Sequence, residues 1–354
     1  MTFINYQAWV HFADHVLEEA LYAEFARENA RRPVVVHDTA SRDTVSMERL
    51  LSGIPPRREV AFLDVASIEA DVLPRPWQKV PPPDSIVALG AHRVLAAAIN
   101  LLSTLSQTTE PRQSDPLLVL IPTTLGLPLG ILQGQRSPGN IARNRRDAPR
   151  VLTICDPTLT MGSSSEDVAR GAVVAITRCV EALIGPAYHP PSSGVALDGL
   201  ARIAKNVFPV VDDQGSPDQR RELMAGALNA ALAAEQGVST LEQFAREYST
   251  DKTGDAVTLC RLLLPRLVAA YEAVGPLPND AKLKNALEIP STLSVSDGLE
   301  RLLSKLPLSG DFRTAGFRPD EIVVALMSQR LAQVLTPSVL GQFTALIHHS
   351  HPVH

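Results

Sequence analysis

The sequence is short of the residues that would announce a chemistry at sight. Cysteine occurs only at Cys155, Cys179 and Cys260 in 354 residues. Three widely spaced thiols exclude a disulfide framework, and without a CxxC pair they offer no zinc or redox motif, so buried, reduced thiols are expected. Charge of one sign is also scarce. The 33 Lys+Arg and 38 Asp+Glu leave a formal −5 with no block of like charges, so neither nucleic acid nor an anionic membrane is an expected partner. Long apolar runs are missing too. The opening "MTFINYQAWVHFADHVLEEA" carries acidic residues and no extended apolar core, which reads as neither a signal peptide nor a membrane span and predicts a cytoplasmic protein. No Gly-x-Ser-x-Gly elbow, HExxH, phosphate-binding P-loop or Cys–His pairing is present. The histidines are His11, His15, His37, His92, His189, His348, His349, His351 and His354, with none between His189 and His348.

What is present divides into two idioms. The length exceeds that of an ordinary single domain, so two domains with a ligand cleft between them are expected. Residues 1–160 alternate short β-branched runs with amphipathic stretches. The runs are "RPVVVHD", "REVAFLD", "DSIVALG", "DPLLVLIPTT" and "PRVLTICDP". Such alternation predicts an α/β, Rossmann-like domain with a mostly parallel sheet, whose ligand loops follow the strand ends. Residues 161–354 change to helical periodicity, from "SSSEDVARGAVVAITRCVEALIG" through "DQRRELMAGALNAALAAEQG" to "TPSVLGQFTALIHH". They predict an all-α domain. Between the two, "QGQRSPGNIARNRRDAPR" (133–150) reads as a long surface loop or, more sharply, a lid.

Four strings in order give a more specific reading. "DSIVALGAHRVLAAA", "LIPTT", "VLTICDPTLT" and "ARGAVVAITRCVEAL" resemble the strand–glycine-loop–helix, the paired threonines, the Asp-Pro lead-in and the first metal-bearing helix of the iron-containing alcohol dehydrogenases. That superfamily includes maleylacetate reductase and shares the dehydroquinate synthase architecture. The resemblance implies the two-domain fold just read, an NAD(P)H cofactor, a small-molecule substrate and a homodimer.

Two departures stand out. Where the family resembles Gly-Gly-Gly-Ser, this chain has Gly90, Ala91, His92 and Arg93. Glycines let backbone N–H groups approach a pyrophosphate at a helix N-terminus. The restored side chains therefore argue against tight cofactor binding, unless His92 and Arg93 hold an anion themselves; solvated loop residues are the plain alternative. Asp38, ending its strand, suits either a ribose hydroxyl or a turn cap, and Thr123 and Thr124 suit either phosphate or a strand-end turn. The second departure is at the metal. Counting back from Glu181 puts Val174 and Arg178 at the resemblance-implied Asp and first His, Glu242 falls near the second His, and the third falls near residues 252–256. Valine cannot ligate and arginine repels a cation, so no metal is expected in this site.

Arg178 interrupts an apolar helical run, and a buried arginine needs an anion. It pairs structurally with Glu181 or binds a carboxylate or enolate. Glu242 and Arg246, four apart, read as a surface ion pair or as part of the emptied site beside Tyr248 and Lys252. His189 is an exposed loop histidine or an acid–base group. "HHSHPVH" is a frayed tail or a metal-binding tract. Three functions remain: a metal-independent reductase resembling maleylacetate reductase, a non-redox cyclase, isomerase or dehydratase on the same scaffold, and a non-catalytic binding subunit.

Overall fold

The computed structural model describes residues 9–69, 83–108, 116–126, 150–186, 188–234, 240–249, 254–328 and 330–348. The chain divides into two compact units, one spanning Tyr6–Ser163 and the other comprising Met1–Asn5 and Ser164–His354. Most of the loop at 133–150, Lys252 and the tail beyond His348 lie outside the described residues.

The first unit contains one parallel sheet. Its strands are β1 (Trp9–Phe12), β2 (Pro33–His37), β3 (Ala61–Asp64), β4 (Ser85–Gly90), β5 (Leu117–Pro122) and β6 (Val151–Cys155), in the order β1-β6-β5-β4-β2-β3. Every residue of β4 and β5 is buried, as expected of central strands covered on both faces, whose sequence runs apolar without alternation. Period-two geometry still sorts their side chains. Val87, Leu89, Val119 and Ile121 face α1 (Leu17–Glu28) and α2 (Val45–Gly53). Ile86, Ala88, Leu118 and Leu120 face α4 (His92–Thr108), the helix that follows the short α3 (Val65–Glu69) and β4. The sequence reading misses β1. Its "WVHF" is only four residues long and sits at the sheet edge, where Trp9 is flanked by the guanidiniums of Arg27 and Arg150 at 5.0 and 4.7 Å.

Beyond β6, Asp156 fastens the sheet to its helices. Its fully buried carboxylate accepts from the backbone N–H of His15, Leu17 and Thr158 and from Arg49. Burial would raise this carboxyl, but the Thr158 and Arg49 bonds prevail and hold it below the usual range.

Among the described residues the second unit is helical, beginning with α5 (Ser165–Ile184), α6 (Pro190–Val211), α7 (Pro217–Ala234), α8 (Thr240–Ser249) and α9 (Ala256–Val274). It continues through α10 (Asp280–Ala286), α11 (Val295–Leu303), α12 (Pro319–Ser328), α13 (Arg330–Val334) and α14 (Pro337–His348). Ser164 starts α5 by accepting from the Asp167 N–H, an N-cap of the expected type. Buried residues then occur on all sides of α5, the pattern of a helix enclosed by others. Close crossing of α6 and α7 requires Gly199 and Gly226, since a Cβ on Gly226 would lie 2.8 Å from Ile203 and 3.1 Å from the Gly199 carbonyl. Cys155, Cys179 and Cys260 are all free and buried. No helix among the described residues is long and apolar enough to cross a membrane.

Candidate functional sites

In the α/β unit the candidate residues gather at the carboxyl edge of the sheet. The chain runs outward from β2 to β3, then returns to the other side of β2 for β4, β5 and β6. The order therefore reverses between β2 and β4, the switch point at which open α/β sheets bind ligands. Asp38 follows β2 there, and Gly90-Ala91-His92-Arg93 follows β4. Gly90 has φ +155°, and a Cβ on it would lie 2.8 Å from Val94 Cγ2. A side chain is disfavoured on both counts, so the tight turn after β4 calls for glycine at this position.

His92 and Arg93 are not in a loop. They open α4, whose first turn is closed by the Val94 and Leu95 N–H groups donating to the Ala91 carbonyl. His92 is half-buried and Arg93 exposed. A Cβ on Gly126 would stand 3.2 Å from His92 Cβ, so Gly126 makes room for His92 against the turn after β5. Thr123 and Thr124 form that turn. The Thr123 N–H donates to the Gly90 carbonyl at 3.1 Å, and the Thr124 hydroxyl accepts from the Gly126 N–H at 3.4 Å. The Asp38 carboxylate accepts from the Ser41 N–H at 2.8 Å and caps the short helix Thr39–Ser41. Asp64, at the end of β3, accepts from the Ala66 N–H and the Thr39 hydroxyl, which with the Arg93 charge lower its carboxyl from the ordinary value.

In the helical unit Arg178, Glu242 and Arg246 form one cluster. Arg178 Nε and Nη2 donate to Glu242 Oε2 and Oε1 at 2.7 and 3.0 Å. Arg246 donates to Oε1 from Nε at 3.0 Å and from Nη2 at 2.5 Å. The expected pairing of Glu242 with Arg246 forms, but it is not a plain surface pair, because Glu242 is 6% exposed and also holds the buried Arg178. Burial would raise the Glu242 carboxyl, but Arg178 and then Arg246 outweigh it and hold the group far below the usual carboxylate range. Burial likewise opposes the charge on Arg178, and Glu242 more than offsets it.

Glu181 caps α8, accepting from the Thr240 hydroxyl and the Leu241 N–H, both at 2.9 Å. The expected carboxylate for Arg178 thus comes from a helix more than sixty residues away, and the local Glu181 serves a helix start. His189 is also corrected, from exposed loop to buried N-cap of α6, with Nδ1 accepting from the Ser192 N–H at 3.1 Å. An accepting Nδ1 carries no proton, so that nitrogen is committed to the helix. Tyr248 is buried and stacks on Phe244. Sequence reasoning missed Arg170, whose Nη2 donates to Asp255, the N-cap of α9. The missed signal was the four-residue spacing of Arg170, Val174 and Arg178, which puts all three on one face of α5. Among the described residues no three His, Cys, Asp or Glu side chains converge as metal donors.

No family model matches the chain. It is 23% identical over 348 residues to the 4-hydroxybutyrate dehydrogenase of Cupriavidus necator, covering 90% of this chain and 91% of that protein. This relative, a dehydrogenase matched over nine-tenths of both chains, is in line with the resemblance to the iron-containing alcohol dehydrogenases. Its fold matches maleylacetate reductase from Agrobacterium tumefaciens with a TM-score of 0.75 at 17% identity, covering 99% of this chain and 97% of that one. It also matches the iron-containing alcohol dehydrogenase of Thermotoga maritima with a TM-score of 0.73 at 15% identity and 99% coverage of both. The superfamily's α/β-then-α architecture is the one described above.

Proposed function

We propose that this chain is a metal-independent reductase of the superfamily, taking a nicotinamide dinucleotide at the carboxyl ends of β2 and β4 and acting on a small anionic metabolite. The observation that carries the reading is the Arg178–Glu242–Arg246 cluster. It stands on the residues that the resemblance equates with metal ligands. Val174 has no donor atom, Arg178 is cationic, and both Glu242 oxygens already accept guanidinium N–H groups. A divalent ion there would have to displace those bonds and sit beside two positive charges, which the donor set does not suit. A fixed guanidinium supplies instead the positive charge that polarises a carbonyl or holds an oxyanion.

The switch point suits a dinucleotide in part. Gly90 keeps the turn that brings α4's N-terminus to the sheet edge, and a helix N-terminus favours phosphate. When bound, a reduced nicotinamide supplies the hydride. Asp38, Thr123 and Thr124 offer oxygens around the same edge, while His92 and Arg93 narrow the approach that glycines would leave open. Affinity is therefore expected to be weaker than a full glycine loop would give. The relatives' names, a dehydrogenase and a reductase, support an oxidoreductase.

Titration with NADH and NADPH, followed by nicotinamide fluorescence, tests the reading. Saturable binding to a sample that elemental analysis finds free of stoichiometric iron and zinc supports it. Absence of binding overturns it in favour of non-redox chemistry on the same scaffold, a reading favoured by His92 filling the space beside Gly126. One tightly held metal per chain, with the histidine tail trimmed, overturns the metal-independent part.

A further inference from the structure

At the amino ends of β2 and β3 the sheet gathers positive charge that its own carboxylates do not answer. The register that pairs Val34 with Ala61 continues back past Pro33, where the Glu59 N–H donates to the Arg31 carbonyl at 3.0 Å. Three residues before that pair, Arg31 of one strand therefore lies directly beside Arg58 of the next, about 4.8 Å away. Like charges so placed repel. Asp84 is committed elsewhere, its carboxylate accepting from the Arg31 and Arg32 backbone N–H groups and from the Ser85 hydroxyl. Among the described residues none of Arg31, Arg57 and Arg58 is ion-paired. Arg31 Nε donates to the Asn29 side-chain oxygen at 3.4 Å, and Arg58 Nε is sealed from solvent with no acceptor among the described residues. A buried charged donor left so calls for a partner. Arg57 holds φ +64° behind the Pro55-Pro56 pair, a strained backbone of the kind found at ligand clamps. The helix ends here offer little in exchange, because the Asn29, Ala30 and Ile54 N–H groups already take the Ala26, Phe25 and Leu51 carbonyls.

We infer that this amino edge is a binding site for a phosphate-bearing small molecule, with Arg31 and Arg58 closing on the phosphate and Arg57 at the rim. Two guanidinium forks from adjacent strands call for an anion with several oxygens, which a phosphate offers and a single carboxylate, filling one fork, does not. The bound anion turns the repulsion between Arg31 and Arg58 into shared attraction. These residues precede their strands, whereas the glycine turn follows β4, so the site is separate from the proposed nicotinamide site and stands without it.

The test uses the full chain in phosphate-free buffer, with inorganic diphosphate as the probe and acetate as the control. Calorimetry should show saturable binding of diphosphate, which should also raise the melting temperature, while acetate at the same concentration does neither. Arg31→Gln and Arg58→Gln should each weaken binding roughly ten- to hundredfold, the range of one charge-assisted contact. Arg58→Lys should recover part of it. With no anion present both Gln variants should melt no lower than the unaltered protein, because each relieves the like-charge pair. Absence of saturable binding overturns the inference. Binding that survives both Gln substitutions belongs to the helix N-terminus at the carboxyl edge and overturns it as well. A clear drop in melting temperature in both variants without anion marks the arginines as structural, and it too overturns the inference.

Discussion

The sheet edge and the charge cluster are held by different physical constraints. At the edge of β4 the tight turn is fixed by the backbone of Gly90, and side chains follow it at Ala91, His92 and Arg93. In the helical unit Arg178, Glu242 and Arg246 meet as paired charges carried by α5 and α8. A turn constrained by φ and by contact with Val94 admits little substitution, because the penalty falls on the backbone itself. A charged cluster can be rebuilt wholesale provided each buried charge finds its opposite, since the cost lies in an unpaired ion and not in any one residue type.

The largest effect should come from separating the buried ions. Glu242→Gln leaves two guanidiniums facing a neutral amide, and urea unfolding should show a loss of about 3–5 kcal/mol. A loss below about 1 kcal/mol would mean that the cluster is solvated and the contrast with the sheet edge is false. Next is Gly90→Ala, expected to cost about 1–3 kcal/mol through its φ and the Val94 contact and to weaken nicotinamide binding. Should binding and stability both survive, the glycine turn is a relic.

Acid should act on both regions. The Asp156 and Glu242 carboxyls are held below their ordinary values, so their stabilisation is complete above the unfolded pKa of about 4 and is lost as pH falls through the folded values. Melting temperature should be flat near neutrality and fall below about pH 4. A fall beginning near neutral pH would point to other groups. The smallest effect is expected at the thiols. Burial pushes Cys155 up to about 12 and likewise raises Cys179 and Cys260 well above the ordinary thiol value. A thiol-specific reagent at neutral pH should label none of the three until the protein is unfolded, and labelling of folded protein would reveal local opening.

Much of this was legible before folding. The strands "PVVVH", "SIVALG" and "LLVLIP", the long helix from Ser165 and the absence of histidine from 190 to 347 are properties of local pattern and composition. Arg178 in an apolar helical run also announced that it needed an anion. The edge strand "WVHF" escaped notice because four mixed residues carry too little periodicity.

The choice of partners was decided only by the tertiary structure. Side-chain spacing offered Glu181 as the protein partner of Arg178, yet Glu181 turned to cap α8 and Glu242 arrived from that same helix. Asp38 and His189 likewise became helix caps. Local periodicity follows from backbone geometry within a few residues and is written in the sequence itself. Which of two chemically equal groups meets a distant charge depends on how helices pack, and that is settled by the burial of many residues together.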